Sequence, residues 1–288
     1  MTSAPNIKKR KANVSLLQRY AAAPHIVWAI LFIIAPIIFV AYYAFTATVD
    51  GAVIFSFENI KTFFTPTYLK IFGRSVLLAF ISTVICLLLG YPIAYFISRT
   101  KPRTQRLLIL LIMLPMWMNF LIRTYAIMVL IQDTGIINSF LGNLGIAPMH
   151  ILGTESAVVL GMVYDYLPYM ILPIYSVMAK LDYRLVEAAG DLGCNGFKVM
   201  TKVIFPLSLS GVISGITMVF VPSISTFYIS QKLGGGTFEL IGDTIERQFL
   251  AGALNVGAAI SLVMMVLILI SLTVMNKFGN SDDGGIIL

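Results

Sequence analysis

Charged side chains are scarce in this sequence. Only 11% of its 288 residues are Asp, Glu, Lys or Arg, whereas a soluble domain carries about 25%. Hydrophobic residues make up 58% of the chain. So few charges cannot cover the surface of a soluble domain of this size. The composition therefore indicates an integral membrane protein.

Residues that carry catalysis or bind metals are also few. The two cysteines, Cys86 and Cys194, and the two histidines, His25 and His150, fit neither a disulfide framework nor a metal site. The sequence has no GxxxxGK[ST] loop, no GxSxG elbow and no HExxH pair. Motifs for nucleic acid are missing too, so the net charge of +7 does not indicate such a partner. We therefore predict a protein that is not an enzyme and binds no metal or cofactor itself.

Six apolar segments are long enough to cross a bilayer as helices. A span needs about 20 residues, because a helix rises about 1.5 Å per residue across about 30 Å of hydrocarbon. The segments cover residues 26–47, 75–97, 107–131, 156–178, 207–230 and 254–275. They predict an all-α integral membrane protein, in which residues 26–276 form a six-span domain. Residues 1–25 form a basic N-terminal segment and residues 277–288 a C-terminal tail.

The positive charges between these segments predict the orientation. With the N-terminus inside, fourteen Lys and Arg residues fall in cytoplasmic segments and five in external ones. Membrane proteins carry such an excess of positive charge on the cytoplasmic side. Both termini, and the polar segment 187–206 between the fourth and fifth spans, are therefore expected in the cytoplasm.

The segment 187–206 has a regular pattern of small and apolar residues. It reads Glu187-Ala188-Ala189, three residues, Gly193, nine residues, and Val203-Ile204-Phe205-Pro206. Good helix formers predict a helix over 181–192, ended by Gly193 in left-handed dihedrals, and a second helix over 197–204 that stops before Pro206. The small residues are expected to face outward, where a partner can approach closely. An ordinary amphipathic loop is the alternative that the spacing leaves open.

This pattern resembles the EAA loop of ABC importer permeases, which reads Glu-Ala-Ala, three residues, Gly, nine residues, Ile-x-Leu-Pro. Val203 replaces the Ile and Phe205 replaces the Leu, both apolar for apolar. Other runs are similar to the permeases of spermidine/putrescine importers, and the similarity extends over about residues 26–275. These runs are Leu89-Gly90-Tyr91-Pro92, Leu114-Pro115-Met116-Trp117, Leu121-Ile122-Arg123-Thr124-Tyr125 and Phe227-Tyr228-Ile229-Ser230.

The resemblance implies an ABC type-1 permease that imports polyamines across the bacterial inner membrane. It implies a second homologous permease that completes a heterodimer, two cytoplasmic ATPase subunits that bind ATP and Mg, and an external polyamine-binding protein. Coupling to the ATPases is implied for Glu187, Ala188, Ala189, Gly193 and Pro206. One alternative is another substrate of the same importer group, such as thiamine, ferric iron or an opine. A second alternative is a stand-alone secondary transporter.

A substrate path is expected around Asp165, which lies within the fourth predicted span. An ionisable residue at that depth costs about 2.5–3.5 kcal/mol, so it normally faces a cavity or a partner. Aromatic rings beside a carboxylate suit a ligand with ammonium groups. Three hypotheses stay open: Asp165 faces the path, pairs with Arg123, or lies exposed near a helix end. The other path candidates are Tyr164, Tyr166, Tyr169, Ser223, Phe227 and Tyr228.

The fifth predicted span has the features of an interrupted helix. Pro222 predicts a kink, and broken helices often line transport paths. Ser223 allows close packing. Phe227 and Tyr228 are expected to form an aromatic gate, with an interfacial aromatic belt as the alternative. Arg123, in the third span, is expected to have a paired structural role.

Overall fold

The computed structural model of this protein describes residues 23–49, 52–182 and 184–279. Most of the predicted N-terminal segment and C-terminal tail lies outside these residues, which include only 23–25 and 277–279 of them. The described part of the chain is built of helices, with one two-stranded hairpin near its start.

In the described residues, the first half of the chain starts with three short helices, the hairpin and the longest helix. The elements are α1 (Ala23–Ala29), a π-helical turn (Ile30–Ile34), α2 (Ala35–Ala44), β1 (Thr46–Val49), β2 (Ala52–Phe55), α3 (Glu58–Phe63) and α4 (Pro66–Ser98). The helices that follow are α5 (Pro102–Met113), a 3-10 turn (Leu114–Trp117), α6 (Phe120–Ile131) and α7 (Ile136–Asn143).

The second half begins with the long helix α8 (Glu155–Met178). The polar segment then contains α9 (Arg184–Asp191), α10 (Gly196–Val199), a π-helical turn (Met200–Ile204) and α11 (Phe205–Leu207). The last helices are α12 (Leu209–Ser225), α13 (Tyr228–Leu233), α14 (Ile241–Leu250) and α15 (Leu254–Gly279).

Five helical stretches in the described residues have the length and composition of a membrane span. They are Pro24–Ala44, Pro66–Ser98, Phe120–Asn143, Glu155–Met178 and Leu254–Met275. A sixth is added if Gly196–Leu207 and Leu209–Ser225, which meet at a bend of 69°, form one broken span. The predicted helical membrane architecture is confirmed.

The third predicted span, 107–131, is wrong as one continuous helix. The α-helix ends at Met113, and the chain passes through a 3-10 turn that contains Pro115 and through extended backbone at Met118 before a new helix starts after Asn119. Proline has no N–H to continue a helix, and the Asn119 side chain accepts a hydrogen bond from the Leu121 N–H at 2.8 Å, which caps the new helix. The stretch with span character begins at Phe120 instead.

The fifth predicted span, 207–230, is shorter than expected. Helix α12 ends at Ser225, because Thr226 has extended backbone, and Phe227 precedes the separate helix α13. Pro222 lies within α12, which continues past it to Ser225.

The hairpin departs from the all-α prediction. Strand β1 pairs with β2 in antiparallel register, with Thr46 opposite Phe55. β-branched residues such as Val53 and Ile54 favour extended backbone. The carbonyl of Thr46 accepts hydrogen bonds from the side-chain amides of Asn59 and Asn255, which tie the hairpin to α3 and α15.

Helices α4, α8 and α12 pack against one another and form the core. Gly211 and Gly215, one turn apart on α12, allow its backbone to approach α8 closely. A methyl group at Gly211 would lie 2.9 Å from the Pro173 carbonyl, and one at Gly215 would lie 2.8 Å from the Met170 sulfur. Small residues at this spacing are typical of close helix contacts in membranes.

Candidate functional site

The polar segment folds as two short helices joined by a glycine bend, as predicted. Gly193 has φ +76°, and its N–H donates to the Gly190 carbonyl at 2.9 Å. The Cys194 N–H donates to the Ala189 carbonyl at 3.1 Å, so carbonyls at the end of α9 are satisfied. Asn195 caps α10 by accepting from the Lys198 N–H at 2.9 Å. Local turn chemistry therefore fixes the shape of this segment.

Several details of the segment differ from the prediction. The first helix covers Arg184–Asp191 rather than 181–192. The second helix does not stop before Pro206 but continues through α11 to Leu207. Proline is tolerated there because it follows a π-helical turn and lies in the first turn of α11. The small residues also do not all face outward, since Ala189 is buried against the core while Glu187 and Ala188 are exposed.

The exposed side of the segment carries two large apolar side chains. Leu192 is 86% exposed and Phe197 is 76% exposed. They lie one residue before and four residues after Gly193, where an added Cβ atom would meet nothing within 4 Å. Apolar side chains exposed to this degree beside polar residues mark a surface that a partner protein can cover.

The far end of the segment is attached to the core. The Tyr91 hydroxyl lies 3.1 Å from the Ser208 hydroxyl, at the bend between α11 and α12. The Tyr91 ring also contacts the Phe205 ring, with centroids 5.7 Å apart. A displacement of the segment would therefore act on α4 and α12 together.

Asp165 pairs with Arg123, which was one of the three hypotheses. The Arg123 Nε lies 2.5 Å from the Asp165 Oδ1, and the exposed fractions of the side chains are 6% and 0%. Arg123 also donates to the Pro115 carbonyl at 3.2 Å, and Thr124 donates to the other carboxylate oxygen at 3.3 Å. The hypothesis of an exposed helix end is wrong, because no part of the Asp165 side chain reaches the surface. Its role in the substrate path stays a prediction.

The other path candidates divide into buried and exposed side chains. Tyr166 is 8% exposed, and Ser223 is fully buried with its hydroxyl donating to the Val219 carbonyl at 2.7 Å. Tyr164, Tyr169 and Phe227 are exposed. Tyr228 is half-buried and contacts rings on α6. The structure therefore does not bring the predicted set together on one surface.

An open groove of about 510 Å³ lies between α8 and α12. Tyr169 is the predicted path residue that lines it, and neither Tyr166 nor Ser223 does so. The hydroxyl groups of this groove were not among the predicted path residues. The groove is lined by Tyr169, Leu172, Pro173, Ser176, Val177, Ser210, Gly211, Ser214 and Met218.

The missed residues have a recognisable pattern. Ser210, Ser214 and Met218 recur every four residues and are all exposed, so they form one stripe along α12. In an apolar span, hydroxyl groups at this spacing indicate a face that is not turned to lipid alone.

Comparisons with known proteins agree with this architecture. Residues 87–280 match the family described as "Binding-protein-dependent transport system inner membrane component". The chain is 40% identical over 254 residues to "Spermidine/putrescine transport system permease protein PotB" of Haemophilus influenzae, covering 84% of this chain and 88% of that protein. It is 36% identical over 228 residues to the protein of the same name from Escherichia coli K12, covering 77% and 83%.

A solved structure has a similar fold at low sequence identity. It is the "bacterial alginate ABC transporter in complex with alginate pentasaccharide-bound periplasmic protein", one chain of which aligns with a TM-score of 0.77 and 14% identity. The alignment covers 94% of this chain and 96% of that chain. The membrane helices and the polar segment agree with the family match and with the two relatives. This chain belongs to the family of binding-protein-dependent transport system inner membrane components.

Proposed function

We propose that this chain is the permease subunit of an ATP-driven importer that moves polyamines across the bacterial inner membrane. The observation that carries the substrate class is the high identity, over most of both chains, to permeases named for spermidine and putrescine. These relatives favour polyamines over thiamine, ferric iron or an opine. Membership in a binding-protein-dependent family speaks against a stand-alone secondary transporter.

We propose that the segment 187–206 couples this chain to two cytoplasmic ATPase subunits, which bind ATP and Mg. Three observations support this assignment. Leu192 and Phe197 expose apolar surface, and Glu187 adds an exposed charge on α9. An added Cβ atom at Gly193 would meet nothing within 4 Å, so a partner can approach there. The contacts of Tyr91 with Ser208 and Phe205 would carry a movement of the segment into the core. Ala188 and Pro206 shape the segment, while the buried Ala189 anchors it.

We further propose that a second homologous permease covers the groove between α8 and α12. Its hydroxyl groups and the exposed ring of Tyr169 would then line a path that opens and closes as the two permeases rock. An external polyamine-binding protein would deliver the substrate to the opposite side from the ATPases. In this arrangement both termini lie in the cytoplasm.

The coupling assignment is tested by copurification of the neighbouring ATPase with this chain. Leu192→Ser and Phe197→Ser should each reduce the bound ATPase severalfold, because they remove apolar surface that association would bury. Leu144→Ser is the matched control, since Leu144 is 60% exposed but lies on the loop before α8, on the side away from the coupling segment in the proposed orientation. Undiminished ATPase binding by both serine variants would contradict the assignment.

A further inference from the structure

Lys232 on α13 holds its ammonium group over two tyrosine rings. The nitrogen lies 5.3 Å from the ring centroid of Tyr125 on α6 and 5.6 Å from that of Tyr228, one turn earlier on α13. The Tyr228 ring contacts Tyr125 at 6.4 Å and Phe120 at 6.0 Å. The two ring faces therefore come from different elements and are held in place by contacts between aromatic rings.

These rings are the groups that hold the Lys232 ammonium. Among the described residues, the ion pairs within 4.0 Å join other side chains, and none includes Lys232. Tyr125 is 43% exposed and Lys232 is half-buried, so the pair of rings is open to the surface on one side. A cation placed over a ring face is attracted by the electrons of that face. The arrangement is thus an ammonium site built from aromatic rings, which we call the tyrosine cage.

The occupant of the tyrosine cage is chemically close to the end of a polyamine. A lysine side chain is a primary ammonium on a flexible stem of four carbons. Putrescine and spermidine end in the same group on the same kind of alkyl chain. A pair of rings that accommodates Lys232 therefore has the size and charge preference for a polyamine terminus.

We propose that the tyrosine cage of Tyr125 and Tyr228 is a binding site for the terminal ammonium of the substrate, and that Lys232 is its built-in competitor. An arriving polyamine end takes the place of the Lys232 ammonium, which swings out on its flexible stem. Lys232 is tethered beside the cage, so it competes at a high effective concentration. When the substrate leaves, Lys232 returns and closes the site. This inference rests on the proposed polyamine substrate.

The sign of the effect of Lys232 substitutions separates this proposal from a purely structural role. Loss of the competitor in Lys232→Met should strengthen polyamine binding. Lys232→Arg keeps the charge but stacks more strongly on aromatic faces, so it should weaken polyamine binding. If Lys232 only stabilised the fold, Lys232→Met should weaken polyamine binding, and Lys232→Arg should leave it close to that of the wild type.

The test is equilibrium binding of radiolabelled spermidine to the assembled complex in nanodiscs of neutral phosphatidylcholine, without ATP and without the binding protein. Lys232→Met should lower the Kd about threefold to tenfold. This factor corresponds to the free energy of the one or two partly exposed cation–π contacts with which Lys232 competes. Lys232→Arg should raise the Kd. In the Lys232→Met background, Tyr125→Leu and Tyr228→Leu should each raise it again by a similar factor.

Controls separate this site from general electrostatics and from misfolding. Lys61→Met removes the same charge from an exposed position on α3 and should leave the Kd unchanged. Every variant is first checked for copurification with the ATPase. An unchanged or higher Kd for Lys232→Met, in a complex whose wild type imports spermidine with ATP, overturns this inference alone. A wild-type complex that imports no spermidine overturns the polyamine assignment and this inference with it.

Discussion

The ion pair of Arg123 and Asp165 joins α6 to α8 where neither side chain is open to solvent. Burying both charges is costly, and their attraction offsets that cost only while both partners are present. Arg123 also holds the Pro115 carbonyl, across the break that precedes α6. The pair thus fixes the position of the interrupted third span against the core.

Removal of one partner should destabilise the protein by about 3–5 kcal/mol, because an unpaired charge is left buried. We expect Asp165→Asn and Arg123→Gln each to lower the midpoint of thermal unfolding of the solubilised complex. The double variant Arg123→Met with Asp165→Leu should lower the unfolding midpoint by less than the sum of the two single decreases, because it leaves no unpaired charge buried. Single variants as stable as the wild type, with uptake alone lost, would instead assign Asp165 to the substrate path.

Asp243 is a second buried carboxylate, at the start of α14 and outside the spans. Its oxygens accept hydrogen bonds from the Ser230 hydroxyl and the Leu240 N–H, both at 2.8 Å. Burial nevertheless raises the pKa of this carboxyl to about 6, against its ordinary value of 3.8. The nearby carboxylates Glu239 and Glu246 act in the same direction.

The raised pKa of Asp243 predicts a pH dependence of stability. The folded protein holds this proton more tightly than the unfolded chain, so the stabilisation is complete below pH 3.8 and is lost as pH rises through about 6. Asp243→Asn has no such titration. The difference in unfolding midpoint between wild type and Asp243→Asn should therefore shift in favour of the variant as pH rises through this window. Parallel pH curves for the two proteins would contradict the prediction.

At the residue scale, the sequence identified Asp165 and Arg123 but could not decide between three roles for the carboxylate. The two residues are 42 positions apart, and their contact depends on how α6 is rotated against α8. The rotation of one helix against another cannot be inferred from the hydropathy of the sequence. Ser210 and Ser214 on α12 were not predicted to line a groove for a different reason. Serine is common as a packing residue within spans, so its presence alone does not indicate a path.

At the scale of elements, the coupling segment was the most predictable part of the chain. Its bend depends on Gly193 and on the Asn195 cap, and both are signals of local turn chemistry. The break in the third span was not predicted, because residues 107–118 are all apolar and Pro115 does not interrupt their hydropathy. An apolar run indicates that a segment lies in lipid. The helix break depends instead on the backbone N–H that Pro115 lacks.

Gly193 should be more sensitive to substitution than its neighbour Gly190. An alanine at Gly193 would have to adopt left-handed dihedrals, at a cost of about 1–2 kcal/mol, although nothing lies within 4 Å of the added carbon. We expect Gly193→Ala to reduce the transport-coupled ATPase rate, and Gly193→Asn to reduce it less, because Asn tolerates this conformation.

Gly190→Ala is the matched control for this prediction. Gly190 lies in α9 without a positive φ, and the added carbon also meets nothing within 4 Å. It should therefore keep the ATPase rate of the wild type. Equal effects of alanine at the two positions would show that backbone conformation at Gly193 is not what matters.

At the scale of the whole molecule, the core of α4, α8 and α12 connects the coupling segment with the candidate path. The segment enters α12 at the bend of 69°, and α12 packs on α8 through Gly211 and Gly215. The helical class, and a count of five or six spans, could be predicted from the length and composition of the apolar segments. The arrangement of the spans around this core could not, because it depends on contacts between distant residues.

The proposed orientation can be tested with the native Cys194, which lies beside Gly193 and is partly exposed. A membrane-impermeant thiol reagent should label Cys194 in inside-out vesicles and not in intact spheroplasts. Cys86 is fully buried between the core helices and should not react from either side. Labelling of Cys194 in intact spheroplasts would place the coupling segment outside and contradict the proposed orientation.

The most direct test of the proposed function is spermidine uptake into proteoliposomes that contain this chain, its neighbouring permease, the ATPase and the binding protein. We expect uptake that requires ATP on the ATPase side and stops when this chain is omitted. Stimulation of the ATPase by a different loaded binding protein, without uptake of any polyamine, would contradict the polyamine assignment. Spermidine uptake that continues without ATP, or without this chain, would contradict its role as the permease.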